Sequence, residues 1–281
     1  MSTREMGFTD LAFAAECARA GGRITATAEE LESFLLWDAS GCWIAEYGRK
    51  PVGFCVARWY GQCGFVGAMA LRGIKGESCV ERELLDCGVR YLSDCGSERI
   101  FAETGHVSVD LFEKAGFVKL CRILQFVGSV YGRFHKHVRG LRPQDLTTIV
   151  ALDRHSFRAN RLYFLGRRYS LAPQFCKVLE MNGKIEGYIM ARRVSGIVAV
   201  GPWVVSPNVD CPADLLEALA VELRGEKLLI EVLETHSGVS ELLRTMGFSE
   251  SAKPAWRMLL GTRSNVGMAD SLYAVGSPFT G

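Results

Sequence analysis

Ten cysteines and five histidines are the side chains best suited to metal or redox chemistry in this chain, and their spacing argues against both. Cys17, Cys42, Cys55, Cys63, Cys79, Cys87, Cys95, Cys121, Cys176 and Cys211 contain no C-x-x-C pair and have no histidine at zinc-ligand spacing. His135 and His137 form a His-x-His pair without further ligands, so no metal site is expected. The N-terminus, MSTREMGFTD, lacks an apolar signal core, and reduced, mostly buried thiols acting as small hydrophobes are the expectation.

The glycines offer a different chemistry. Within LRGIKGESCVEREL (71–84), Gly73, Ile74, Lys75, Gly76, Glu77 and Ser78 lie between a strand-like run and a helix-like run. Unpaired backbone N–H groups and the helix dipole at such a turn can cradle a diphosphate, with Lys75 offsetting the charge of Glu77. The alternative is a surface turn that caps the helix through Ser78 and Glu77. Between 133 and 168, Arg133, Lys136, Arg139, Arg142, Arg154, Arg158, Arg161, Arg167 and Arg168 face only Asp145 and Asp153, a local charge of +7. That run is either a wall for anionic groups or a solvated linker and helix face.

The elements that hold these residues are written twice. ETGHVSVDLFEKAGF (103–117) and ETHSGVSELLRTMGF (234–248) agree at five of fifteen positions without a gap. Residues 43–71 and 177–205 agree at seven positions, including Glu46 with Glu180, Gly53 with Gly187 and Gly67 with Gly201. Two blocks in the same order at offsets of 131 and 134 mark a duplication, and the expected domains are 1–132 and 133–281. Each copy reads as helix, three antiparallel strands, helix, strand, helix, strand. The turns are Tyr47-Gly48-Arg49-Lys50 and Asn182-Gly183-Lys184, and the last helices stop at Gly116 and Gly247. Thr27-Ala28-Glu29-Glu30 forms a capping box ahead of Leu31, Phe34 and Leu35.

At 281 residues with 48% apolar and 23% charged residues, the chain can bury two cores. A net charge of +2 gives no field that argues for nucleic acid or membrane as an obligatory partner, and no apolar run nears the roughly 20 residues of a bilayer span. A cytoplasmic protein is expected, with its oligomeric state open. The tail 262–281 carries Leu272, Tyr273 and Phe279, which suit docking; a disordered end is the alternative.

This order of elements resembles the GNAT (GCN5-related) N-acetyltransferases, and LFEKAGF is similar to their closing phrase. ALDRHSFRANR (151–161), GPWVV (201–205), RMLLG (257–261) and the tail SLYAVGSPFTG (271–281) resemble the divergent second module of tandem GNAT proteins. The resemblance covers nearly the whole chain. It implies an α+β fold with two GNAT-like domains in tandem, each a mixed, mostly antiparallel sheet flanked by helices, with a docked tail on the second.

It also implies an activity: transfer of an acetyl group from acetyl-CoA, as co-substrate and without a metal, to an amine of a small molecule or peptide. The backbone of Met69, Ala70 and Leu71 would polarise the thioester, and residues 73 to 78 would hold the pyrophosphate. The family's Arg/Gln-x-x-Gly-x-Gly/Ala phrase is matched only in part, with the arginine displaced to Arg72. Copy two has VSPNVDCPADLLEAL there, without a glycine, so the first copy is the expected binder.

A base would come from Glu103 or Glu46, less readily Glu234. Because Glu103 and Glu234 recur in both copies, a shared structural role competes. The family's acid tyrosine is Phe112 here and Leu243 in copy two, which leaves Phe112 as a cofactor-side residue and His106 or Tyr60 as substitutes. Asn160 and Arg161 are the substrate-binding candidates. A catalytically weak or inactive GNAT-fold scaffold is the competing reading.

Overall fold

A computed structural model describes residues 1–20, 26–72, 77–105, 108–252, 255–262 and 270–277, without the side chains of Ala68, Glu77 and Ser78. The chain divides into two compact units, and neither is a continuous stretch. Unit 1 comprises Met1–Leu120 with Ala255–Ser264 and Pro278–Gly281; unit 2 comprises Cys121–Pro254 with Asn265–Ser277. The repeat's halves, 1–132 and 133–281, follow chain order, whereas the units cut it differently. The strand that flanks the parallel pair in each unit comes from the other half of the sequence.

Unit 1 contains β1 (Ser2–Glu5), α1 (Leu11–Ala20), α2 (Ala28–Trp37), β2 (Cys42–Tyr47), β3 (Lys50–Trp59), β4 (Cys63–Leu71), α3 (Glu77–Asp94), β5 (Arg99–Thr104) and α4 (Val109–Lys114). A long strand β6 (Val118–Gly128) then carries the chain into unit 2. Unit 2 adds β7 (Val138–Gly140), α5 (Leu146–Phe157), α6 (Leu162–Leu171), β8 (Cys176–Met181), β9 (Lys184–Val194), β10 (Ile197–Val205), α7 (Ala213–Leu223), β11 (Leu228–Leu233), α8 (Ser237–Thr245) and β12 (Ser249–Glu250). Strand β13 (Ala255–Gly261) belongs to unit 1 and β14 (Leu272–Ala274) to unit 2.

The sheet of unit 1 runs β1-β2-β3-β4-β5-β13, antiparallel throughout except for the parallel pair β4–β5. Unit 2 repeats it as β7-β8-β9-β10-β11-β6, with β10–β11 parallel. This is the α+β, mostly antiparallel fold that the sequence implies, built twice.

Local chemistry explains the elements. Both hairpin turns hold two successive residues at positive φ, Gly48 (56°) with Arg49 (63°) and Asn182 (51°) with Gly183 (74°), the geometry a two-residue hairpin needs. The α2 capping box is closed in both directions: Glu30 N donates to Thr27 Oγ1 at 3.3 Å, and Thr27 N donates to Glu30 Oε2 at 3.1 Å. Period-two alternation splits β3 between two cores. Phe54 and Val56 pack with Ala14, Leu31 and Phe34 of the first helices; Cys55 and Ala57 face Leu84 and Leu85 of α3.

A fork of charges is duplicated as faithfully as the backbone. Arg4 donates to both carboxylate oxygens of Asp10, at 2.7 and 2.8 Å, and to Glu46 at 2.8 Å. Arg139 does the same with Asp145, at 2.7 and 3.1 Å, and with Glu180 at 2.7 Å. The guanidinium holds the carboxyls of Asp10 and Asp145 below the usual carboxylate range. Each fork ties the edge strand of its sheet, β1 or β7, to the neighbouring strand and to the turn before the helix that follows.

Candidate active site

The parallel strands of unit 1 do not stay together. β4 and β5 are in register at Cys63–Arg99, Gly64–Ile100, Phe65–Phe101 and Val66–Ala102, and the ladder ends there. Beyond Val66, β4 continues for five residues paired only to β3 among the described residues, while β5 continues through Glu103 and Thr104 beside β13. The cause lies in β4. Gly67 pairs with Val56 and Ala70 with Phe54, so Ala68 and Met69 oppose the single residue Cys55. That bulge bends β4 away from its parallel neighbour and leaves backbone N–H and C=O groups along one edge.

Helix α3 starts at Glu77, shortly after β4 ends, and runs for 18 residues, so its first N–H groups, which have no acceptor within the helix itself, lie at the same end of the sheet. Gly73, Ile74, Lys75 and Gly76, the core of the expected phosphate turn, lie outside the described residues, as does His106.

The other expected site residues separate clearly. Met69, Ala70 and Leu71 line the edge where the ladder stops and are half-buried. Glu103 sits one residue beyond the last parallel pair, at the same end. Its side chain is fully buried, and Arg257 of β13, directly opposite, donates to it through Nε at 3.0 Å and through a second guanidinium nitrogen.

Glu46 lies on β2, two strands from β4, with its carboxylate engaged by Arg4. Tyr60 is buried where β4 begins, against Trp37 (5.3 Å) and Phe65 (6.2 Å). From there to Leu71 the strand spans roughly 25 Å, so Tyr60 is at the wrong end for the opening. Phe112 is a core residue, edge-on to Phe117 at 5.3 Å.

The substrate-binding candidates have structural duties in unit 2. Arg161 is fully buried, donating to both oxygens of Asp153 at 2.9 and 2.5 Å and stacked over Phe157 at 3.8 Å. Tyr188 donates its hydroxyl to the same carboxylate, and burial followed by Asp153 pushes its pKa well up. Asn160 is exposed and accepts a hydrogen bond from Leu162 N at 3.0 Å, just ahead of α6. No substrate reaches a guanidinium sealed in this way.

Arg257, the partner of Glu103, is not among the site residues expected from the sequence. Its signal is in the sequence: Arg122 and Arg257 begin the similar stretches RILQF and RMLLG within β6 and β13, and Arg122 pairs with Glu234 at 2.5 Å as Arg257 pairs with Glu103. All ten cysteines are free thiols. Burial raises Cys17 to about 11 and Cys176 to about 12, which keeps both protonated and inert. Among the described residues no group of three metal-ligating side chains gathers, and no helix is long and apolar enough to cross a membrane.

Residues 149–274 match the family model described as an acetyltransferase (GNAT) domain. Among solved structures, a putative acetyltransferase from Pyrococcus horikoshii is similar over 100% of this chain and 95% of its own, with a TM-score of 0.82 and 18% identity. A GCN5-related N-acetyltransferase from Sphaerobacter thermophilus matches over 98% and 96%, at TM-score 0.62 and 14% identity. A tandem GNAT protein from the clavulanic acid biosynthesis pathway matches over 92% and 98%, at TM-score 0.64 and 10% identity. No curated protein matches the sequence.

Proposed function

We propose that this chain, a tandem protein of the GNAT acetyltransferase family, moves an acetyl group from acetyl-CoA to an amine of a small molecule or peptide, and that unit 1 does so. One observation carries the reading: the gap that opens between β4 and β5 beyond Val66 and Ala102, flanked by the edge of a bulged strand that is unpaired among the described residues and by the start of a long helix. Two features of this gap suit acetyl-CoA. Its pantetheine arm carries amides that an unpaired strand edge can hydrogen-bond, and its diphosphate suits the donors at a helix N-terminus.

In the transfer, the amine nitrogen bonds to the thioester carbon, the C–S bond breaks, and the amine's proton ends on the thiolate or on water. Backbone N–H groups around Met69 to Leu71 would stabilise the charge that builds on the carbonyl oxygen. Glu103 we assign as a positioning residue. Its bond to Arg257 fixes the end of β5 against β13, and so the width of the gap, while proton removal runs through water.

A second reading rests on Phe112, which stands where relatives carry an acidic hydroxyl: a fold that binds acyl-CoA and barely turns it over. Calorimetric titration with CoA tests the first half of the proposal; saturable binding is expected, and no heat at millimolar CoA would overturn it. Release of free thiol from acetyl-CoA in the presence of amines, polyamines, amino acids or peptides then separates a transferase from a scaffold.

A further inference from the structure

Unit 2 carries the same opening, and there it is filled. β10 and β11 pair at Val198–Leu228, Ala199–Leu229 and Val200–Ile230, then part. Gly201 and Pro202 oppose the single residue Met190, repeating the bulge of β4. Into the gap comes the chain's own tail. β14 pairs antiparallel with β10 at Trp203–Ala274 and Val204–Leu272. Val205 N donates to Ser271 O at 2.9 Å, and Val275 N donates to Glu231 O at 3.0 Å, so the segment bonds to β10 on one side and to β11 on the other.

The fit is close. Ser271, Leu272, Ala274, Val275 and Ser277 are buried, and Ser271 shares a 2.6 Å hydrogen bond with Ser156 of α5. Tyr273 packs on Trp203 (5.0 Å) and His236 (4.9 Å). A Cβ on Gly201 would lie 1.9 Å from the carbonyl oxygen of Val275, so only glycine admits the tail there. At the repeat's offset of 134, Trp203, Pro202 and Val205 stand where Met69, Ala68 and Leu71 stand in unit 1. The edge that holds the tail thus corresponds to the one that is unpaired in unit 1 among the described residues.

We propose that the opening of unit 2 is a peptide-binding cleft whose ligand is residues 270–277 of the same chain. The protein therefore takes one acyl-CoA, in unit 1. The cofactor count, though not the filled cleft, rests on the acyl-CoA reading above.

Amide hydrogen exchange on the intact chain, with and without millimolar CoA and beside a calorimetric titration, tests both parts. The Val205 and Val275 amides should exchange at least about a hundredfold more slowly than the exposed turn amide of Gly183. CoA should leave those rates unchanged and bind at one per chain. Exchange at Val275 as fast as at the turn, acceleration by CoA, or a second CoA per chain would overturn the proposal. A slow Val275 amide with no CoA bound would sink the reading of unit 1 while upholding the filled cleft. In Gly201→Ala the new methyl must push the tail out, and faster exchange at Val275 is expected; an unchanged rate would count against the cleft. If that variant fails to fold, the measurements on the unaltered chain decide alone.

Discussion

One cross-strand pair, Glu with Arg, occurs in both units in different surroundings, and the contrast predicts different energetics. Glu103 and Arg257 are buried, so Glu103→Gln leaves a desolvated guanidinium without its counter-charge, at a cost of about 3–5 kcal/mol. Glu234 and Arg122 are well exposed, so Glu234→Gln should leave stability nearly unchanged. Urea denaturation of the two variants checks this. Adding Arg257→Met to Glu103→Gln should recover part of the loss, because the uncompensated charge is gone. If Glu103 positions β5 rather than taking a proton, its conservative variant should lower activity without shifting the pH profile. Arg161→Ala belongs to the same class: it strands Asp153 in the core, and a lower melting temperature with an unchanged KM for the acceptor is expected from any variant that still folds.

Among the elements, the tail strand carries a pH signature. Burial lowers the pKa of His236, the ring against Tyr273, while the backbone carbonyl and charge of Asp270 raise it less. A histidine whose folded pKa lies below its unfolded value of about 6.5 contributes stability that is complete above that pH and lost as pH falls through the folded pKa. Thermal melts should therefore fall between pH 7.5 and pH 5, with Val275 exchange quickening over the same interval. A His236→Phe variant should show less of that dependence. The α2 cap is a simpler case. Thr27→Ala removes the acceptor for Glu30 N and should cost about 1 kcal/mol in denaturation, with acetyl-CoA binding untouched.

For the whole molecule, chain order and compact unit do not coincide. A fragment of residues 1–132 keeps β6, which pairs with β11 of unit 2, and loses β13, which pairs with β5. Its β5 would present a bare edge and Glu103 would lack Arg257. We expect this fragment, expressed alone, to be insoluble or to lack a cooperative melt, and co-expression with 133–281 to restore one. A sharp independent transition for 1–132 would contradict the strand exchange.

Much was legible in the residues because it depends on neighbours in sequence. The turn at Asn182-Gly183, the capping box at Thr27 and the glycines Gly116 and Gly247 at helix ends are set by local backbone preference, and all are found as read. The duplication, and through it the fold class, is likewise a property of the string of letters. What the string could not reveal is which side chains meet in space, whether they lie a few residues apart or more than a hundred. The carboxylate of Glu46 is drawn away by Arg4, Arg161 is sealed beneath Phe157, and Glu103 finds a cation 154 positions later. Both openings are written by corresponding bulged strands, β4 and β10, yet the one in unit 2 is filled by the tail, because hydrogen-bonding edges are satisfied by whatever the completed chain brings within reach.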